Sequence, residues 1–325
     1  MAAVTRARAF WIVAAGRGEI RDEPIDATDE DVIIRTEYSG VSRGTESLVF
    51  NGRVPASERQ RMRAPFQAGE FPFPVKYGYA SVGVVESGPR DLAGRRVFVL
   101  HPHQDRYAVP AGAVHPVPGN VPAGRAVLAA NLETAINGVW DGHPRVGDRI
   151  AVIGAGTVGC LVAWIAQRII GCDVALSDIN PHRRTVAERL GVRFQDPGAL
   201  RGDADLVFHA SGSPGGLLTA MSIAGNETAV VDLSWYGDQI VPLALGEAFH
   251  SRRLMLRSSQ VGQIAPGQAP RWNHRRRMAL ALSLLGDASL DALITGESAF
   301  DQLPDALARL AGSPGDELCH RIRYQ

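Results

Sequence analysis

Lysine is almost missing from this chain. Lys76 stands alone, and arginine carries the rest of the positive charge, a bias that matches a GC-rich coding sequence. The 34 basic residues meet 34 acidic ones, for a formal net charge of zero. Without a positive excess there is no electrostatic reason to expect nucleic acid or an anionic membrane as a partner. Cysteine is scarce as well. Cys160, Cys172 and Cys319 lie far apart, with no Cys-x-x-Cys and no Cys/His clustering. This argues against a disulfide framework and a cysteine-built zinc site, and it suits a reducing cytoplasm. The apolar stretch 9–15 lacks a cleavage pattern and returns early to charge, so it reads as a first strand and not a signal peptide. Residues 150–166 carry no charge, but their glycine run and the absence of flanking anchors argue for burial inside a doubly wound sheet, not for a membrane span. No internal repeat or low-complexity tail is present.

What is there is an ordinary globular composition, 45% apolar and 21% charged over 325 residues. That length suits two domains. The most informative segment is 149–180, RIAVIGAGTVGCLVAWIAQRIIGCDVALSDIN. It reads as a strand, a glycine turn, a helix and a second strand ending at Asp178. Gly154 allows the tight turn, Gly156 lets a pyrophosphate approach the backbone, and Gly159 lets the helix pack on the strand. The helix start, with Thr157 and Val158, offers N–H groups and a positive dipole end to phosphates. Asp178 follows Gly159 at the distance where a carboxylate accepts hydrogen bonds from an adenosine ribose. A carboxylate there favours NAD over NADP, while Arg183 and Arg184 leave a 2′-phosphate open.

Short apolar runs at 9–13, 32–36, 80–86 and 96–100 predict a strand-rich front, and 53–75 a surface loop or short helix. One helix is expected over 123–141. Strands are expected at 150–153, 173–177, 205–209, 228–233 and 253–259, with helices at 158–170, 181–190 and 215–223 between them. That is a doubly wound parallel sheet. A Gly/Pro/Gln-rich loop follows Gly262, then a helix at 272–285, a strand at 292–296, a helix at 300–311 and a strand at 318–324.

Several stretches, spread over essentially the whole chain, resemble the medium-chain dehydrogenase/reductase superfamily. They are ARAFWIVAAGRGEIRDEP at the start, EYSGVSRGTES at 37–47, KYGYASVGVV at 76–85, NLETAINGVW at 131–140, FHASGSPGG at 208–216 and the tail ITGESAFDQLPDALARL. The resemblance implies an α/β protein in which a GroES-like β-rich catalytic domain (1–125 and 263–325) carries an inserted Rossmann domain (126–262). It implies a nicotinamide cofactor, a small-molecule substrate taken between the domains, and a homodimer paired through sheet edges. It also places Arg43 against the cofactor pyrophosphate, and Thr134, Ser211 and Gly212 at cofactor contacts. Locally, SGVSRGTESLVFNGRVP resembles the bacteriochlorophyllide a dehydrogenase branch. That implies either a shared sub-branch or a shared chlorin substrate.

The departures from that family carry equal weight. Its three zinc-ligand positions read Ser42, Tyr79 and about Ala130, and its four-cysteine structural lobe is absent. Two hydroxyls and a methyl do not make a catalytic zinc site, so the expectation is a zinc-independent branch with no metal ligand. Alkoxide or enolate charge must then be met by hydrogen bonds and acids. The candidates are Tyr79, the Ser42 and Thr45 hydroxyls, Glu133 at a helix start, and His101 with His103 on a strand exit, where alternate residues would share a face. Lys76 reads as a solvated side chain, and Arg275, Arg276 and Arg277 as a helix's solvated face. A C=C reductase of the enoyl or quinone type and a non-catalytic dinucleotide-binding sensor remain open beside the alcohol/carbonyl oxidoreductase.

Overall fold

The computed structural model describes residues 6–313 and 315–325. Contacts divide it into two units. Unit 1 comprises the chain up to Ala130 together with Met278–Ala288 and Ile294–Gln325; unit 2 comprises Asn131–Arg277 and Ser289–Leu293.

Unit 1 opens with an antiparallel hairpin, β1 (Arg6–Ala14) and β2 (Arg17–Pro24), turned at Gly16 with φ +71°. The long strand β3 (Asp31–Val41) leads directly into α1 (Arg43–Phe50). Short strands β4 (Ala68–Gly69) and β5 (Val75–Lys76) are followed by β6 (Ser81–Ser87), β7 (Arg96–Val99), β8 (Arg106–Pro110) and β9 (His115–Pro116). β3 pairs with β6 and β8, and alternate residues such as Val32 and Ile34 enter an aliphatic core with Val85, Val97 and Val109. The helix expected over 123–141 is two helices, α2 (Ala123–Ala126) and α3 (Ala129–Gly142). The joint tightens through an i→i+3 bond from Leu128 N–H to Arg125 O (3.0 Å), and Val127 there lies against Gly40.

Unit 2 is a six-stranded parallel sheet. In chain order it runs β10 (Arg149–Ile153), α4 (Thr157–Ala166), β11 (Asp173–Ser177), α5 (Arg183–Arg189), β12 (Arg193–Gln195), β13 (Ala204–His209), α6 (Pro214–Ile223), β14 (Ala224–Asp232) and β15 (Met255–Ser258). Its spatial order is β12-β11-β10-β13-β14-β15. The order reverses between β11 and β13, on either side of β10, which is the switch point of a dinucleotide fold. Sequence reading missed β12, three residues too short to show a period. Ile153, Val207, Leu217 and Val230 anchor the layer between α6 and the sheet.

After α7 (His274–Leu284), unit 1 resumes with β16 (Ile294–Ala299), α8 (Leu303–Gly312) and β17 (Cys319–Arg323). β17 pairs with both β16 and β3, which brings the end of the chain into the seven-stranded sheet. The two units meet in sequence at 130/131, five residues beyond the expected border. Residues 263–277 group with unit 2 because they are bonded to α3: Ala265 N–H reaches Asn137 Oδ1 (3.1 Å) and Arg277 reaches the same oxygen (2.5 Å). Among the described residues, no helix is long and apolar enough to cross a membrane.

Candidate functional site

The glycine turn after β10 is built for close approach. Gly154 has φ +102°, and a Cβ there would meet the Ser211 backbone N at 2.5 Å. A Cβ on Gly159 would stand 1.8 Å from the Gly154 carbonyl oxygen, so only glycine lets α4 begin this close to the strand. Gly156, the N-cap of α4, has nothing within 4 Å of the same construction. Gly156, Thr157 and Val158 are half-exposed between buried neighbours, so the helix start faces open space. Asp178 stands at the end of β11. One carboxylate oxygen accepts Ala155 N–H (2.7 Å) and the other accepts Asn180 N–H (2.9 Å), which fixes the group beside the turn. Of the two arginines that could reach a 2′-phosphate, Arg183 is buried, and Arg184 pairs with Asp196 (3.1 Å) and covers the Phe194 ring.

In unit 1 the end of β3, the start of α1 and the segment before β6 bring Ser42, Thr45 and Tyr79 together. The Tyr79 phenol is hydrogen-bonded by both hydroxyls, and it is pushed up to about 12 by burial first and by the Glu46 carboxylate second. Glu46 accepts Ser42 N–H (2.7 Å) at one oxygen and faces His103 Nε2 (2.8 Å) at the other. His103 Nδ1 continues to Ser39 Oγ (2.7 Å), and Ser39 to the Tyr324 hydroxyl (2.9 Å). Glu46 and His103 are both almost fully buried. Sequence reading left Glu46 out. Its partner lies 57 residues away, in a segment held in place by the β3–β8 pairing and by Phe10 N–H on His103 O (2.9 Å).

Most of the other candidates have partners of their own. His101 and His103 do not sit on a strand, since β7 ends at Val99, so the alternation argument fails for them. His101 is stacked on Tyr107 (centroids 3.6 Å apart) and on Phe66, with Nδ1 against Pro102 O (2.9 Å). Burial pushes its pKa down to about 3. Lys76 is not solvated: it is buried, paired with Glu23 and bonded to Gln104 Oε1 (2.9 Å). Arg43 donates to Glu317 O (2.8 Å) within unit 1. Arg277 is not on a solvated face. Its guanidinium is buried against Glu133 (3.1 Å), Asn137 and the carbonyls of Val261 and Gln263. Glu133, although raised by burial, is thus held by a cation, which opposes a role as free base. Thr134, the next residue of α3, is half-buried. Among the described residues, no three His, Cys, Asp or Glu side chains form a metal-holding group.

A second polar cluster lies at the C-terminal ends of β13 and β14. His209 and Asp232 are paired by strand register, and His209 Nδ1 meets Asp232 Oδ1 at 2.9 Å. His209 Nε2 meets Ser211 Oγ at 2.6 Å, and Gly212 N–H donates to Ser234 Oγ (3.1 Å). Burial works to raise the Asp232 carboxyl, but His209 and Ser234 hold it below its ordinary value. Neither His209 nor Asp232 was a sequence candidate, for they stand 23 residues apart and are joined only by register.

A GroES-like sheet unit, and an inserted sheet with the dinucleotide strand order and a glycine turn at its switch point, decide the fold. It is the medium-chain dehydrogenase fold. No family model matches the chain. It is 26% identical to a 2-dehydro-3-deoxy-L-galactonate 5-dehydrogenase of Pseudoalteromonas atlantica, over 65% of this chain and 62% of that protein, so the match spans less than two thirds of that relative. It is 28% identical to a 2-desacetyl-2-hydroxyethyl bacteriochlorophyllide A dehydrogenase of Rhodobacter capsulatus, over 82% of this chain and 81% of the other. Among solved structures, L-idonate 5-dehydrogenase of Escherichia coli superposes with TM-score 0.79 at 15% identity and 98% coverage of each chain. An Escherichia coli CFT073 alcohol dehydrogenase in complex with NADH superposes with TM-score 0.76 at 15% identity, over 98% of this chain and 99% of that one. Other structures of this fold carry zinc-binding dehydrogenase in their names.

Proposed function

We propose that this protein is an NAD-dependent oxidoreductase that moves hydride between the nicotinamide and a carbonyl or secondary-alcohol carbon, without a catalytic zinc. The observation that carries the reading is the turn at Gly154, Gly156 and Gly159, open at the start of α4 and flanked by Asp178. Those backbone N–H groups would hold the pyrophosphate, and the Asp178 carboxylate the adenosine ribose. Bound nicotinamide supplies the hydride acceptor or donor. NAD is favoured over NADP because a fixed carboxylate repels a 2′-phosphate and Arg184 is already paired with Asp196.

The residues at the superfamily's zinc positions do not fit that metal: Ser42 and Tyr79 offer hydroxyl oxygens and Ala130 offers none. The protonic work falls instead to Tyr79. Its phenol keeps its proton at neutral pH and donates it toward a developing alkoxide, while Ser42 and Thr45 fix its orientation. A homodimer belongs to the same reading: β15 is a sheet edge and exposes Met255 and Leu256. The three buried, free cysteines suit a cytoplasmic setting.

Metal-stripped protein should be titrated with NADH and NADPH by fluorescence, then assayed on a panel of ketones and secondary alcohols, chlorins included. The expected result is tighter NADH binding and turnover that survives chelation. Turnover restored only by Zn²⁺ would overturn the metal-free chemistry. Failure to bind either dinucleotide would overturn the whole reading.

A further inference from the structure

We propose that His209, clamped by Asp232, is a positioning residue that sets Ser211 to receive a ribose hydroxyl from the second half of the dinucleotide. The inference rests on the dinucleotide reading above. Asp232 accepts three hydrogen bonds. Its Oδ1 takes His209 Nδ1–H (2.9 Å) and Ser234 N–H (2.9 Å), and its Oδ2 takes the Tyr236 hydroxyl (3.1 Å). A carboxylate only accepts, so the tautomer that fits this contact carries its ring proton on Nδ1. Nε2 is then an acceptor, and the Ser211 hydroxyl must donate its one proton to it, across 2.6 Å.

The orientation of Ser211 follows. With its proton spent on His209, Ser211 Oγ can act outward only as an acceptor. It already takes Ser213 N–H at 3.2 Å, which leaves one lone pair. A sugar hydroxyl has a hydrogen to give to that lone pair. A phosphate oxygen has none and would be repelled. The packing keeps this arrangement in place. A Cβ on Gly216 would stand 2.1 Å from Ser211 Oγ and 3.0 Å from His209 Nε2, so α6 leaves room for the pair only because it has glycine there. His209 is fully buried, whereas Ser211 is exposed. One end of the chain of bonds is locked and the other is presented.

Location supplies the ligand. Ser211 backbone lies against Gly154, the first glycine of the pyrophosphate turn. It follows β13, the strand on the far side of the switch point from Asp178. A dinucleotide laid across that point has its adenosine ribose at β11 and its other ribose toward β13 and β14.

Three ligands separate the possibilities: ADP, which lacks the second ribose, ADP-ribose, which has it, and NADH. Their affinities would be measured at pH 8 by calorimetry, with wild type, Ser211→Ala, His209→Asn and the double variant. Asn keeps a donor near the Nδ1 position for Asp232 but cannot reach Ser211, and thermal unfolding checks that it folds. Each single variant should weaken ADP-ribose and NADH by about fivefold to tenfold, the worth of one hydrogen bond, and leave ADP unchanged. The double variant should be no weaker than either single one, because both remove the same bond. Equal loss for ADP and ADP-ribose, additive losses, or no loss would each overturn the proposal while leaving dinucleotide binding standing. If wild type binds none of the three, the functional reading falls and this inference falls with it.

Discussion

Acid should unfold this protein partly through one histidine. His101 is buried and stacked on Tyr107, and its pKa is pushed down to about 3 from an ordinary value of 6.5. Burial is the main cause, and the nearby Lys76 and His103 push the same way. The unfolded chain therefore binds a proton at pH values where the folded chain does not. Above pH 6.5 the residue has no effect on the pH dependence of stability. As pH falls from there toward 3, stability is lost, and below 3 the loss levels off. Integrating between these two values gives a loss of about 2 kcal/mol at pH 5 relative to pH 8. The comparison is with His101→Phe, which keeps an aromatic ring against Tyr107, loses the bond to Pro102 O and cannot titrate. The variant starts less stable by about 1 kcal/mol for the missing hydrogen bond. Urea unfolding at pH 8 and pH 5 should then show wild type losing about 2 kcal/mol more than the variant between the two conditions. Parallel losses in the two proteins would refute the reasoning, because every other ionisable group is common to both.

Three further predictions follow from named contacts. Gly159→Ala puts a methyl onto the Gly154 carbonyl; it should cost about 1–3 kcal/mol in unfolding and also weaken NADH binding as the turn shifts. Glu133→Gln leaves the Arg277 guanidinium buried without its counter-ion, and should lower stability by about 3–5 kcal/mol, with part recovered in the double variant carrying Arg277→Met; a loss of turnover with unchanged stability would instead mark Glu133 as a catalytic base. Tyr79→Phe should reduce the rate of carbonyl reduction by about 10²-fold or more while NADH affinity stays the same, and a rate near wild type would remove Tyr79 from the chemistry.

Local signals were legible where one segment contains its own partners. The turn at Gly154, the start of α4 and Asp178 lie within 25 residues, and their roles follow from spacing alone. Five of the six strands of the parallel sheet could be read for the same reason, since a buried strand is a short apolar run, and the three-residue β12 could not. What could not be read depends on register between distant segments. Nothing near His209 announces Asp232, and nothing near Glu46 announces His103. Arg277 illustrates the reverse error. In a run of three arginines, each looks solvated, but the helix turns one of them into the polar ladder of α3. The joint between α2 and α3 was hidden because no glycine or proline marks it, and Val127 at the joint packs against Gly40 of β3.

The surroundings of Tyr79 also bear on how the proton moves. A catalytic zinc meets an alkoxide with positive charge. Here burial first and the Glu46 carboxylate second raise the phenol to about 12. A negative charge beside the reacting oxygen disfavours a free alkoxide, so in the proposed reaction the charge has to be quenched by a proton as it forms. A phenol that holds its proton at neutral pH can supply one. The same phenol is a poor base, since at neutral pH almost none of it is ionised. Glu46 cannot serve as that base directly, for both its oxygens are committed, to Ser42 N–H and to His103. His103 in turn leads only inward, through Ser39 to the buried Tyr324. The phenol that gives a proton in carbonyl reduction must regain one before the next turnover, and in alcohol oxidation the proton runs the same path in reverse, so the cluster sets which residue moves the proton and not which way the reaction runs.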